Sequence, residues 1–175
     1  MYLDNVIASS QLSENTVPWF AIDGKYDAIF HSQEGEYNPW LQAHLLNTTL
    51  VETITIVTRL EGPYDFEYGD FKDVEIRAGT MSLDLAFQGS IIVNDICGYY
   101  LGPGVNSAIY TVKCDQAIES DYITIQLMSN EPTTLQLTEI LVNEFKETGR
   151  ILIDNSNLKC FYQIINAINT SLLFI

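Results

Sequence analysis

The sequence predicts an all-β domain, a jelly-roll β-sandwich over residues 1–146, with a short C-terminal tail over 147–175. Three observations predict it. Short runs rich in β-branched or alternating apolar residues recur at sandwich-like spacing, with turn signals between them. No run before residue 146 has helical periodicity. At Thr148-Gly149 the pattern breaks, and the remainder, ending CFYQIINAINTSLLFI, is openly hydrophobic yet too short to span a membrane.

In chain order, residues 1–19 show little periodicity, and Ser9, Ser10, Ser13, Asn15 and Pro18 mark a loop or short capping turn. LQAHLL follows Trp40, and His44 within it suits a core or edge position better than a ligand. VETITIVT at 51–58 is β-branched and flanked by polar turns, the signature of a buried strand. EGPYDFEYGD at 61–70 is an acidic, aromatic loop. In KDVEIRA, Val74 and Ile76 alternate with Asp73, Glu75 and Arg77, and MSLDLAF at 81–87 alternates as well. SAIYTVKC at 107–114, DYITIQLM at 121–128 and TLQLTEILV at 134–142 complete the strands. In the last of these the apolar residues change parity, Leu135 and Leu137 being odd, Ile140 and Val142 even. Either both faces are buried there or a bulge lies near Thr138-Glu139, which would re-aim Glu139. The tail fits an amphipathic helix docked on the sandwich and a truncated or misread end equally well.

Composition narrows the function. With 47% hydrophobic and 18% charged residues the chain is globular, and its length suits one domain. A net charge of −15 disfavours a nucleic-acid backbone or an anionic membrane as partner and leaves neutral sugars, cations and basic proteins. No signal peptide is visible at Met1, and no apolar run has the ~20 residues of a membrane span. Cys97 and Cys114 flank a Gly-Pro-Gly turn; they are a disulfide that constrains the unfolded chain by roughly 3 kcal/mol, or two unpaired core thiols. Cys160 has no obvious partner. Asn47-Thr48-Thr49 and Asn169-Thr170-Ser171 are glycosylation sequons, a pattern that also arises by chance. Together these point to a secreted protein.

One stretch concentrates polar chemistry. FAIDGKYDAIFHSQEGEYNPW, Phe20 to Trp40, sets Asp23, Asp27, Glu34 and Glu36 between the turn signals Asp23-Gly24 and Asn38-Pro39. Such a loop is either a solvated acidic surface or an oxygen-rich seat for a hard cation such as Ca2+, which takes six to eight oxygen ligands.

The order of these signals resembles the F-type lectins, the fucolectin branch of the discoidin-like, galactose-binding-like jelly rolls. LDNVIASSQLSE is similar to that family's entry strand, NVA-x-x-K-P-A-x-Q-S-S, without the Lys-Pro. FAIDGKYDAIFHS resembles A-x-D-G-N-x-D-x-x-F-H-S, and NPWLQAHL resembles N-P-W-W-x-V-D-L, with Leu41 for the second Trp and His44 for the Asp. VETITIVTR, FKDVEIRAG, the DIC…YTVKC segment and LQLTEILV follow the family's later strands, so the likeness runs in register over roughly residues 5–146.

The resemblance implies a structural Ca2+ between the first loop and the last strand. Its ligands would be the Asp23 and Glu139 carboxylates, Ser32, and the carbonyls of Phe20, Lys25 and Thr138. It also implies a Cys97–Cys114 disulfide and a site for fucosylated glycans. The family grips fucose with a loop histidine, an Arg-x-Asp and a further Arg or Lys. Here Arg59 matches the first arginine, Glu61 stands for the Asp, and His31 lies in the histidine's region. Gly62-Pro63 replaces the vicinal cysteines, and the second basic residue is absent, its place falling on Phe66 or Asp70. Arg59 suits equally an ion pair with Glu61 or Asp65.

No Ser-His-Asp grouping, zinc spacing or phosphate-cradling loop stands out, so the chain is not expected to be an enzyme. The expectation is a calcium-dependent lectin, with homo-oligomers compatible. The alternative is a sugar-blind, calcium-stabilised interaction or adhesion module using the acidic 61–75 segment. A carbohydrate-binding module cut from a larger secreted protein is the third reading.

Overall fold

A computed structural model describes residues 3–58, 71–83, 93–102 and 108–145, all within the first of the chain's two units, Met1–Phe145. The expected tail lies outside the described residues. Among the described residues eight strands form: β1 (Leu3–Ala8), β2 (Phe30–His31), β3 (Trp40–Val57), β4 (Val74–Gly79), β5 (Asp95–Tyr100), β6 (Ile109–Leu127), β7 (Gln136–Leu137) and β8 (Glu139–Glu144). A 3-10 turn spans Pro18–Ala21, and the described residues contain no α-helix. The architecture is the antiparallel β-sandwich that the strand pattern predicts.

The backbone of the fold is the pair β3 and β6, which run antiparallel along nearly their whole length. The main sheet has the order β1-β3-β6-β4-β5, with β8 also on β3; β2 and β7 make a separate ribbon. In β3 the core-facing residues are first odd, Leu41, Ala43 and Leu45, and later even, Ile54 and Ile56. Side chains alternate strictly along a strand, so parity changes only where extra residues are inserted. The register slips at His44/Thr49 and Val51/Thr53 supply them. In β6, Cys114 and Ile118 are buried before the slip, Ile123 and Ile125 after it.

These slips let the two ends of one sheet face each other. β5 joins the sheet through β4, beside the Tyr122–Leu127 end of β6. Yet its Cys97 is disulfide-bonded to Cys114 near the opposite end. A Cβ on Gly98 would fall 2.4 Å from Val112 Cγ1, so glycine is what allows this approach. Tyr100 lies against Tyr110, ring centroids 3.9 Å apart, with Phe71 stacked on Tyr110 at 5.7 Å. Phe30, Leu41, Ile54, Ile76, Ile125, Leu135 and Ile140 fill the space between.

Several expectations change. The runs at 107–114 and 121–128 are one strand, β6, because both pair with β3. β5 forms where no separate strand was read, and β1 forms where periodicity showed none but the resemblance implied an entry strand. Met81–Leu83 is loop with Leu83 buried, and the rest of MSLDLAF lies outside the described residues. Glu75 and Arg77 alternate as expected but do not reach solvent, each being 7% exposed. The Arg77 Nε donates to Glu75 Oε1 at 2.5 Å and Nη1 to the Asn94 carbonyl at 2.6 Å. Gln42 bonds Thr124 and the backbone at Met81 and Leu83, so the outer face of β4 is a polar layer under a covering loop.

The parity change near Thr138 is a strand break. β7 pairs with β2, β8 with β3, and Thr138 alone stands between them. Its N–H donates to the Val57 carbonyl at 2.8 Å and its hydroxyl to the Thr58 carbonyl at 2.9 Å. The break turns Glu139 inward, where it is 2% exposed.

Candidate functional site

Glu139 is a buried acid met by a loop from the other end of the chain. The 3-10 turn delivers its partner loop. Pro18 pre-sets the backbone for the first helical position, and the turn closes with Ile22 N–H on the Trp19 carbonyl at 3.1 Å. Ala21 and Ile22 are buried, so the turn is anchored in the core and the following residues are presented at a fixed point. Asp23 then makes an Asx turn, its Oδ1 accepting from the Lys25 N–H at 2.9 Å. Gly24 occupies the left-handed region at φ 74°, which aims its N–H at Glu139 Oε2, 2.8 Å away.

Burial pushes the Glu139 carboxyl up from 4.5 to about 7, and the Asp23 charge pushes the same way. The N–H groups of Gly24, Ile140 and Lys25 oppose the rise without cancelling it. Among the described residues no Lys, Arg or His side chain forms an ion pair with Glu139. Two carboxylates thus share a site without a described counter-charge, which disfavours both being ionised at once. A hard divalent cation would relieve that repulsion, and the donor set, carboxylates with nearby carbonyls, fits one chemically. No group of three or more His, Cys, Asp or Glu able to hold a metal occurs among the described residues, so backbone carbonyls and water would have to complete the shell.

The other expected ligands are placed as follows. Phe20 is in the 3-10 turn and Lys25 is exposed in the Asp23 loop. Thr138 directly precedes Glu139. Ser32 is fully buried between β2 and β7; its Oγ accepts from the Leu135 N–H at 2.9 Å and lies 3.4 Å from the Gln33 carbonyl. Its hydroxyl is therefore already a tie between these strands.

His31 is 8% exposed, with Nδ1 2.6 Å from the Ser32 carbonyl and its backbone bonded to Leu12 and Thr16. Arg59 and Glu61 lie outside the described residues. The strand end that leads to them is described. Thr58 exchanges hydrogen bonds with Ala108, and its carbonyl accepts the Thr138 hydroxyl. Thr58, the last described residue before the 59–70 segment, thus lies against the residue preceding Glu139.

No protein-family model matches the chain, and no curated protein matches it. Solved structures do. A fucolectin from striped bass (Morone saxatilis) serum matches with a TM-score of 0.67 and 23% identity, over 81% of this chain and 47% of that one. This chain thus spans about half of that lectin's length. The family 32 carbohydrate-binding module of Clostridium perfringens NanJ, in complex with galactose, gives 0.60 and 20%, over 79% and 91%. A Streptococcus pneumoniae fucose-binding module gives 0.61 and 15%, over 82% and 93%. The fold is the jelly-roll β-sandwich of these lectin and carbohydrate-binding modules.

Within this jelly roll, two features escaped sequence reasoning. The first is the Phe71–Tyr100–Tyr110 cluster, where burial and the neighbouring Tyr110 hydroxyl push the Tyr100 hydroxyl up to about 12. The β-forming composition of DICGYY was the available signal for Tyr100. The second is the buried Glu75–Arg77 pair, for which alternation was misleading. His44, half-buried, has Nδ1 2.6 Å from Asp4 Oδ1 and packs beside Tyr122; it lies on β3 between β1 and β6, on an interior strand of the sheet and neither in the core nor at an edge.

Proposed function

We propose that this jelly roll is a secreted lectin for fucosylated glycans, stabilised by Ca2+. One observation supports it most: the Asp23 loop and Glu139 meet beside Thr58, the last described residue before the segment that carries Arg59. The folds it resembles include a fucolectin and modules named for fucose and galactose. The Arg59 guanidinium is the principal donor to sugar oxygens in this reading, with Glu61 orienting it. Ca2+, when bound, neutralises the two carboxylates and ties the first loop to the last strand. Asp23, Glu139 and the carbonyls of Phe20, Lys25 and Thr138 would hold it. The Cys97–Cys114 disulfide supports an oxidising, extracellular setting.

Titration calorimetry of the chain with L-fucose in saturating calcium tests the reading. Binding in the millimolar range or tighter is expected, lost in Arg59→Ala. Absence of heat from folded protein rejects it.

A second reading, a sugar-blind interaction module, draws on the acid-rich sequence 61–75. Of that segment Asp73 is exposed, whereas Glu75 is engaged with Arg77 and unavailable to a partner. Binding to a basic protein that weakens steeply with salt would favour it.

A further inference from the structure

We propose that Asn47 carries an N-linked glycan that shields an apolar patch at the end of the sandwich away from Glu139. The inference does not depend on sugar binding. Asn47-Thr48-Thr49 has the acceptor pattern, an asparagine followed two positions later by a hydroxyl residue. The pattern is weak by itself, and its placement gives it force.

The β3–β6 ladder stops at His44↔Tyr122 and resumes at Thr49↔Ser120, while the β1 ladder ends at Leu45 and the β8 ladder begins at Val51. Leu46, Asn47 and Thr48 therefore loop out of β3 with no strand partner among the described residues, and all three are exposed. The Thr48 hydroxyl donates to Asp121, which pins the shoulder of this bulge. Among the described residues nothing hydrogen-bonds the Asn47 amide, so it is free to be substituted. The chain also holds a disulfide, the mark of the compartment in which such glycans are added.

The surroundings explain what a glycan would do there. Leu46 is 54% exposed, Leu50 44% and Phe145 39%. The Phe145 N–H donates to the Leu50 carbonyl at 2.7 Å, so these two residues adjoin across the strand pair. Apolar groups gathered on a surface favour self-association unless covered. An oligosaccharide rooted between Leu46 and Leu50 would cover them. Ten residues of strand, roughly 30 Å of chain, separate Asn47 from Val57 beside Glu139, so the glycan leaves the candidate site open.

In the attachment step Asn47 Nδ2 forms a bond to the anomeric carbon of an oligosaccharide carried on a polyprenyl diphosphate. The carbon–oxygen bond to the diphosphate breaks, the diphosphate leaves with the electron pair, and the amide gives up one proton.

The test is the full chain secreted from a eukaryotic cell behind a cleavable leader and mapped by peptide mass spectrometry. The Asn47 peptide should carry an oligosaccharide, and enzymatic release should convert Asn47 to aspartate. Thr49→Ala should lose the modification, whereas Thr49→Ser should keep it. The wild-type map needs no variant to fold: secreted, disulfide-bonded protein with Asn47 unmodified overturns the proposal. Release of the glycan from folded protein should then raise self-association in sedimentation velocity, and an unchanged profile would overturn the shielding role.

Discussion

The Gly24 N–H donates a 2.8 Å hydrogen bond to the Glu139 carboxylate across 115 residues of sequence. The first loop and the last strand are thus joined at a buried acid on which the Asp23 charge, of the same sign, acts. An arrangement of this kind is a stability defect when both acids are ionised and a cation seat when the charge is answered.

Calcium should therefore stabilise the chain. At a hundredfold excess over Kd the gain is about 2.7 kcal/mol, which raises Tm by roughly 5–10 °C for a domain of this size. Glu139→Gln and Asp23→Asn should each abolish the shift. Scanning calorimetry in calcium and in chelator gives the answer, and identical melting curves would remove calcium from this protein.

The pH dependence has a definite sign. In chelator, Glu139 binds its proton more tightly folded, near 7, than unfolded, near 4.5. The folded state holds more protons across that window, so this group's contribution is fully present below about 4.5 and is lost as pH rises through about 7. Denaturant unfolding of wild type against Glu139→Gln isolates it: the glutamine variant should lack this fall. Calcium affinity should rise over the same window as the proton leaves.

The buried pair on β4 gives a separate prediction. Arg77→Ala leaves Glu75 charged and buried, and Glu75→Gln removes the carboxylate that answers Arg77. Arg77→Ala should cost about 3–5 kcal/mol in urea unfolding. The double variant Glu75→Gln with Arg77→Ala should cost much less than the sum of the two singles. Strict additivity would show that the two residues do not act as a pair.

Gly98→Ala places a methyl group against Val112 and should destabilise by about 1–3 kcal/mol. Gly98→Ala combined with Val112→Ala should recover part of that loss, because the clash is with one side chain. Reducing Cys97–Cys114 should separately cost about 3 kcal/mol, from the 17-residue loop it closes. Thermal melts of the oxidised and reduced protein compare these directly.

Part of the candidate site was legible and part was not. Asp23-Gly24 announced a turn, and the parity change from Leu137 to Ile140 announced an irregularity, read as a bulge or double burial and found as a strand break, because both are local consequences of backbone geometry. What alternation could not disclose is what covers a face. Glu75 and Arg77 read as solvent-facing, yet the sheet neighbours Gln126 and Thr124 and the loop at Met81–Leu83 enclose them. Residues 107–128 read as two strands, since the polar run near Asp115–Asp121 has the composition of a turn; pairing with β3 keeps it extended.

The sequence by itself determined the class of fold, the β-branched cores of β3, β4, β6 and β8, and the turn at Asp23-Gly24. Those properties reside in side-chain alternation and turn chemistry, which act over a few residues. Only the tertiary structure decided that Gly24 meets Glu139, that Cys97 crosses to Cys114, and that Leu46–Thr48 loops out of the ladder. These depend on register between strands far apart in the chain, and register is fixed by which faces are buried together.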